Sequence, residues 1–108
     1  MIRTKLIAAA TAVAATGALA VPALAATKSI TVKDNSFGPK SATVRKGTTV
    51  KWVWRGKAPH NVHVTKGPAK FSSPTKVKGS FSKKLTRSGT YKIVCTIHPG
   101  MKLTLRVK

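Results

Sequence analysis

Carboxylate side chains are almost missing from this 108-residue chain, which contains one aspartate, Asp34, and no glutamate. Glycoside hydrolysis uses a pair of carboxylic acids, so that class of enzyme is excluded. Calcium and magnesium sites built from several carboxylates are excluded for the same reason. Because the chain contains 21 lysines and arginines and only this one acid, its formal net charge is +20. A partner recruited by charge should therefore be acidic.

Long apolar runs are missing beyond the first 25 residues. The chain begins with Arg3 and Lys5, continues with an alanine-rich apolar stretch over residues 6–21, and reaches the small-residue motif Ala-Leu-Ala at residues 23–25. This order of basic, apolar and small residues predicts a signal peptide over residues 1–25. The mature protein is then expected to be exported, to the periplasm or out of the cell.

Cleavage at this point would leave residues 26–108 as one small domain. This domain contains nineteen cationic side chains and one acid, Asp34, so its net charge is +18. An uncleaved membrane anchor is the alternative. The apolar stretch is mostly alanine and is broken by Gly17 and Pro22, which disfavours a membrane span. We expect no stable span after cleavage. The many outward lysines predict a solvated surface that resists aggregation, and we expect a monomer.

Apolar and polar residues alternate with a period of two in several segments. The apolar side chains that share one face are Ile30 and Val32; Val50, Trp52 and Trp54; Tyr91, Ile93 and Cys95; and Leu103, Leu105 and Val107. Such segments are typical of strands with one buried face, and glycine- and proline-containing turns separate them. The pattern predicts an all-β sandwich or barrel, with residues 66–78 as a loop that crosses between sheets.

Cysteine is nearly absent too, and the one cysteine has unusual neighbours. Cys95 ends a predicted strand, and His98 and Met101 follow it at intervals of three residues. Proline and glycine occupy the second and third places of residues 98–101, which predicts a type II turn that brings His98 and Met101 together. A segment folded in this way can surround a single ion.

The three donor types of this segment favour copper over zinc. Zinc is bound by cysteine, histidine and carboxylates, and a methionine thioether is not among its usual ligands. Thiolate and thioether sulfur hold Cu(I), and imidazole binds both oxidation states of copper. Two histidines and a cysteine in one plane, with a weakly bound axial methionine, form the arrangement of blue copper sites. That arrangement requires a second histidine from elsewhere in the chain.

Two histidines, His60 and His63, can supply this second imidazole. Strand alternation places His60 on the same face as Val62 and Val64, and His63 on the opposite face. If the valines face the core, His60 is the ligand and His63 is a surface residue or a neighbour of the site. A slip of one residue in the strand phase would exchange the two roles.

Two roles of Cys95 other than metal binding are possible. The cysteine can be an ordinary small buried residue, although its place beside two further metal-binding side chains disfavours this. A Cys95–His98 nucleophile pair for acyl transfer is a second alternative. It leaves Met101 without a role and provides no acid to orient the histidine.

With these motifs combined, the chain resembles the cupredoxins, the small blue copper proteins. The resemblance rests on TVRKGTTVKWVW (residues 43–54), PHNVHV (59–64), SGTYKIVCTIHPGM (88–101) and LTLRV (103–107), and it covers residues 30–107. The short spacing from cysteine to methionine is most similar to that of the amicyanins within this family. A glycine precedes the methionine here, where amicyanins carry a bulkier apolar residue.

The resemblance implies a Greek-key β-sandwich of seven or eight strands that binds one copper ion near one end. The copper ligands that it implies are His60, Cys95, His98 and Met101. Asn61 is expected to tie the two ligand-bearing segments together by hydrogen bonds, and the Thr96 N–H to point toward the cysteine sulfur.

The function implied by the resemblance is one-electron transfer by an exported protein that is not an enzyme, with copper cycling between Cu(I) and Cu(II). The strong positive charge predicts an acidic redox partner and, as a second class, anionic cell-surface polymers. Nucleic acid is not expected, because the charge is spread over all strands and the protein is exported. Two alternatives remain: a copper carrier or scavenger with the same ligands, and a noncatalytic β-sandwich that binds polyanions.

Overall fold

A computed structural model describes residues 26–108, so the predicted signal peptide at residues 1–25 lies outside the described residues. The strands are β1 (Thr27–Lys33), β2 (Ser36–Gly38), β3 (Ser41–Val44), β4 (Thr49–Trp54), β5 (His63–Lys66), β6 (Gly79–Lys84), β7 (Gly89–Cys95) and β8 (His98–Val107). Residues 26–108 contain no helix, and hence no helix that is long and apolar enough to cross a membrane. The predicted all-β fold of seven or eight strands is confirmed.

The strands form two four-stranded sheets with the orders β2-β1-β4-β6 and β3-β8-β7-β5. The pairs β1–β4 and β3–β8 are parallel, and the other neighbours are antiparallel. Parallel neighbours cannot be joined by a tight hairpin, so the chain crosses repeatedly from one sheet to the other, as in a Greek-key sandwich. One such crossing runs from β5 to β6 through residues 67–78 and confirms the crossing loop predicted there.

The core lies between the two sheets and is built from the alternating apolar residues of both. Side chains with no more than 1% of their surface exposed include Ile30, Val32, Val50 and Trp52 from one sheet and Tyr91, Ile93, Leu103 and Leu105 from the other. Burial of a side chain of this size stabilises a fold by about 1.5–3 kcal/mol. The strand faces predicted from the alternation are confirmed.

Strand direction determines which residues meet at one end of the sandwich. In the first sheet, β1 and β4 end beside the start of β6, since Val32 pairs with Trp54 and Trp54 pairs with Gly79. In the second sheet, β7 ends where β8 begins, because Cys95 pairs with His98. The connections 34–35, 55–62 and 96–97 therefore share this end, and they carry the polar residues described next.

Candidate metal site

His60 is held by the backbone in an irregular segment between β4 and β5. Its N–H donates to the Lys76 carbonyl and its carbonyl accepts from the Lys76 N–H, both at 2.9 Å. The same carbonyl accepts a hydrogen bond from Trp54 Nε1 at 3.1 Å. The imidazole is fully buried, and Val62 and Val64 are buried on the same side. The inward direction predicted for His60 is thereby confirmed, although the residue precedes the strand instead of lying in it.

Both nitrogens of the His60 ring have a close polar neighbour. Nε2 lies 2.8 Å from Asp34 Oδ1. Nδ1 lies 3.8 Å from Cys95 Sγ, across a buried contact between two residues that are 35 positions apart in the sequence. The fold thus brings together the histidine and the cysteine that the sequence had placed in separate motifs.

Asp34 is the part of the site that the sequence motifs missed. It lies in the turn between β1 and β2, where its carboxylate accepts hydrogen bonds from the backbone N–H groups of Lys57 and Ala58 at 3.0–3.1 Å. The Lys57 N–H, followed by His60 and the Ala58 N–H, lowers the pKa of Asp34 to about 2. The signal that could have found this residue is its status as the one acid in a cationic chain.

Gly56 allows the loop to close around this carboxylate. A Cβ atom at position 56 would lie 2.2 Å from Asp34 Oδ1 and 2.9 Å from the Asp34 backbone nitrogen. Contacts this short are not tolerated between non-bonded atoms, so a side chain here would displace either the loop or the aspartate. The glycine therefore has a steric function in the arrangement around His60.

Asn61 joins the two segments that carry the site. Its Nδ2 donates to Thr96 Oγ1 at 2.9 Å, and its Oδ1 accepts from the Thr96 N–H at 2.8 Å. The backbone N–H of Asn61 donates to Cys95 Sγ at 3.4 Å. The expectation that the Thr96 N–H points toward the sulfur is wrong, because the Asn61 side chain takes that donor and the Asn61 backbone supplies the sulfur contact instead.

The predicted type II turn over residues 98–101 is also wrong. The chain reverses at residues 96–97, and His98 already pairs with Cys95 as the first residue of β8. A type II turn would need a positive φ at Gly100, but the described glycines with positive φ are Gly47, Gly79 and Gly89. Residues 99–101 have no partner on β7, so they form an irregularity that interrupts the ladder beside the site.

His98 and Met101 nevertheless lie together. Both line one shallow surface depression, with Asn35, Pro99 and Gly100 as the other lining residues. The ring of His98 lies 4.7 Å from that of His60, centre to centre. The Nε2 atom of His98 is buried and has no hydrogen-bond partner within residues 26–108. Met101 itself is fully buried beneath this surface.

His63 lies apart from this group. It begins β5 opposite Val94, its side chain is half-buried, and its Nδ1 hydrogen-bonds with Ser72 Oγ. Of the two histidines in this segment, the structure brings His60 to Cys95.

The donor chemistry of the group fits copper. Cys95 Sγ and His60 Nδ1 lie 3.8 Å apart, so these two residues would hold one copper ion together. The thioether of Met101 and the unpartnered nitrogen of His98 are further donors of the kind that copper uses. Within residues 26–108, no group of three His, Cys, Asp or Glu side chains is found that could hold a metal by itself. The Met101 thioether is a donor outside these four residue types.

Comparison with known proteins identifies the family. Residues 25–108 match the copper binding proteins of the plastocyanin/azurin family. The chain belongs to this plastocyanin/azurin family of copper-binding proteins. As a member, it is a type 1 copper protein that carries single electrons and is not an enzyme, and its cofactor is one copper ion that cycles between Cu(I) and Cu(II).

Several members of the family are similar over most of the chain. Amicyanin-alpha of Methylorubrum extorquens is 32% identical over 84% of this chain and 86% of its own length. Plastocyanin of Prochlorothrix hollandica is 39% identical over 75% of this chain and 71% of its own length. The solved structure of a Cu(I) form of an amicyanin variant superimposes with a TM-score of 0.70, at 30% identity over 80% of this chain and 86% of that one.

Proposed function

We propose that the copper ion of this electron carrier is held by four side chains at the end of the sandwich. The proposed ligands are His60, Cys95, His98 and Met101. The observation that supports the set most strongly is the buried approach of His60 Nδ1 to Cys95 Sγ, at 3.8 Å. The depression shared by His98 and Met101 supplies the two remaining donors beside it. Copper bound there supplies the one-electron chemistry.

The protein part of the mechanism is to keep His60 and Cys95 nearly stationary. His60 is fixed by two backbone hydrogen bonds to Lys76, and Cys95 lies at the end of β7, an inner strand of its sheet. The hydrogen bonds between Asn61 and Thr96 fasten these two segments to each other. Because the ligands of both segments are held from outside the site, a change in the charge of the bound ion should move them little. Small movement lowers the barrier to electron transfer.

We propose that electrons enter and leave at the surface around His98. Ile97 has 46% of its surface exposed and is one of the two large apolar residues that stand out from the described surface. Pro99 and Gly100 beside it are exposed, and His98 is half-buried between this surface and the site. An apolar patch of this kind lets a partner approach the ligand closely without desolvating charged groups.

The proposed partner is an acidic redox protein, and the proposed location is outside the cytoplasm. Nineteen cationic side chains and one acid in residues 26–108 create a positive field that would draw in an acidic surface. The predicted signal peptide supports export. The protein is expected to be monomeric.

The ligand set is tested by a visible spectrum of the mature protein with added Cu(II). We expect an intense thiolate-to-copper charge-transfer band that saturates at one equivalent, disappears in Cys95→Ser and survives in the control His63→Ala. A band of full intensity in Cys95→Ser, or its loss in His63→Ala, would contradict the assignment.

The acidic partner is tested by the rate of electron exchange as a function of salt. The rate with an acidic protein should fall steeply as ionic strength rises, since screening removes the attraction. The rate with an uncharged small oxidant, as the control, should stay nearly constant. Equal salt dependence for the two reactions would show that charge does not steer the encounter.

Copper handling is the second candidate, and the half-buried position of His98 favours it, because a ligand near the surface gives a metal a route out. The two functions differ in the rate of metal loss. Slow loss of Cu(I) to a strong chelator supports electron transfer, and rapid loss supports a copper carrier or scavenger.

A further inference from the structure

We propose that Asp34 is a positioning residue for the copper site: by accepting a hydrogen bond from His60 Nε2, it holds the imidazole in the tautomer whose Nδ1 is free to bind metal. The inference rests on the proposed function of His60 as a ligand. It adds a residue that lies far from the ligand motifs in the sequence and comes from the turn between β1 and β2.

The hydrogen-bond roles follow from the chemistry of the two groups. An ionised carboxylate can only accept hydrogen bonds, and a neutral imidazole carries one N–H. At 2.8 Å from Asp34 Oδ1, the Nε2 atom of His60 must therefore be the protonated nitrogen. Nδ1 is left with its lone pair, and this is the atom that lies 3.8 Å from Cys95 Sγ. The hydrogen bond to Asp34 therefore selects the tautomer that metal binding needs.

The carboxylate is itself fixed, so it can fix the ring. Its Oδ1 accepts from the Lys57 and Ala58 N–H groups, and its Oδ2 accepts from the Lys57 N–H, at 3.0–3.1 Å. Gly56 leaves the space in which the loop closes around it. The Asp34 side chain is therefore anchored in the same loop that leads into His60, and a movement of the turn would be transmitted to the ring.

Asp34 also affects the electronic character of the ligand. A carboxylate that accepts the second N–H of a ligand histidine increases the basicity of the ring and fixes its orientation, and loss of such a partner typically weakens metal binding by about 10–100-fold. Negative charge beside the site favours the more highly charged ion. Removal of Asp34 should therefore weaken Cu(II) binding more than Cu(I) binding and raise the reduction potential.

The direct test is the tautomer of His60 in the metal-free protein at neutral pH, read from the nitrogen chemical shifts of the ring. In the unmodified protein we expect the Nε2–H form. Asp34→Asn keeps an acceptor oxygen and loses the charge, so it should retain this form. Asp34→Ala loses both and should give a mixture of tautomers. Lys33→Gln, an exposed neighbour that also changes the net charge by one, is the control and should not alter the ring.

Copper binding gives the second readout. Cu(II) affinity should fall by about 10–100-fold in Asp34→Ala and by less in Asp34→Asn, with the reduction potential raised in both. An Nδ1–H tautomer in the unmodified protein would overturn the proposal even if Asp34→Ala did not fold. An unchanged tautomer and unchanged Cu(II) affinity in Asp34→Ala would overturn it as well.

Failure of this inference is distinguishable from failure of the proposed function. If the unmodified protein gave no charge-transfer band with Cu(II), the ligand assignment would fail, whereas the metal-free tautomer would still report the link from Asp34 to His60. If the band were normal and the tautomer did not depend on Asp34, the ligand assignment would stand and the positioning role would be wrong.

Discussion

The two histidines of the proposed copper site differ sharply in how the fold holds them. His60 is fully buried, its backbone is bridged to Lys76, and its ring has a neighbour at each nitrogen. His98 follows a two-residue reversal, lies beside the exposed Ile97, and has a buried Nε2 without a partner within residues 26–108. The fold therefore holds His60 through more contacts of the described residues than it holds His98.

This difference suggests that the two histidines have different roles in the proposed site. The His60 side, with Cys95, supplies a fixed pair of donors whose geometry the fold determines. The His98 side completes the coordination and faces the partner.

The largest effect is expected from the histidines themselves. His60→Ala should abolish the charge-transfer band and lower the free energy of unfolding of the metal-free protein by about 2–5 kcal/mol, because it removes a buried, hydrogen-bonded ring. His98→Ala should lose the band but keep nearly the full stability. Added imidazole should restore the band in His98→Ala, where solvent reaches the gap. If added imidazole restored the band equally in His60→Ala and His98→Ala, the proposed difference between the two histidines would be wrong.

A smaller effect on stability is expected from replacing Gly56 by alanine, and almost none from the same change at Gly100. Gly56→Ala should lower the free energy of unfolding by about 1–3 kcal/mol, since its Cβ would collide with Asp34. Gly100→Ala adds a Cβ with no atom within 4 Å and should change stability by less than about 0.5 kcal/mol. Chemical denaturation of the metal-free variants measures both. A comparable loss in the two would show that the closeness of Gly56 and Asp34 carries no energy.

A still smaller difference separates the two tryptophans of β4. Trp54 Nε1 donates to the His60 carbonyl, whereas Trp52 Nε1 is buried without a partner in the part of the chain that the structure describes. Replacement of either by phenylalanine removes similar ring volume, but only Trp54→Phe loses a hydrogen bond, which is worth about 0.5–1.5 kcal/mol. Trp54→Phe should also shift the copper spectrum. Identical stability and copper spectra in Trp54→Phe and Trp52→Phe would show that the hydrogen bond from Trp54 to His60 has no effect.

The smallest effect is expected from acid. The pKa of Asp34 is lowered from 3.8 to about 2, so the folded state binds this proton less readily than the unfolded state. Its stabilising contribution is therefore complete above pH 3.8 and is lost as the pH falls through about 2. Thermal unfolding of the metal-free protein and of Asp34→Asn should give Tm values that converge over this range. A constant difference in Tm down to pH 2 would contradict the lowered pKa.

The sequence predicted the strands and their buried faces because alternation with a period of two is a local signal. The inward direction of His60 followed from the same alternation with Val62 and Val64. The ligand set stays a prediction until copper is observed in the site.

The errors arose where distant segments compete for the same groups. Pro99 and Gly100 favour a turn by local preference, but pairing of Cys95 with His98 places the reversal at residues 96–97. The Thr96 N–H was expected to point to the sulfur, and the Asn61 side chain binds it instead. Asp34 could not be assigned to the site, because its contact with His60 depends on the relative position of two connections 26 residues apart.

A crystal structure of the copper-loaded protein, with the metal located by its anomalous scattering, would decide whether the site is built around a fixed His60–Cys95 pair. We expect one copper ion bonded to His60 Nδ1 and Cys95 Sγ, with His60 Nε2 still hydrogen-bonded to Asp34. A copper ion bonded elsewhere, or a His60 ring turned away from Asp34 to reach the metal, would contradict this arrangement.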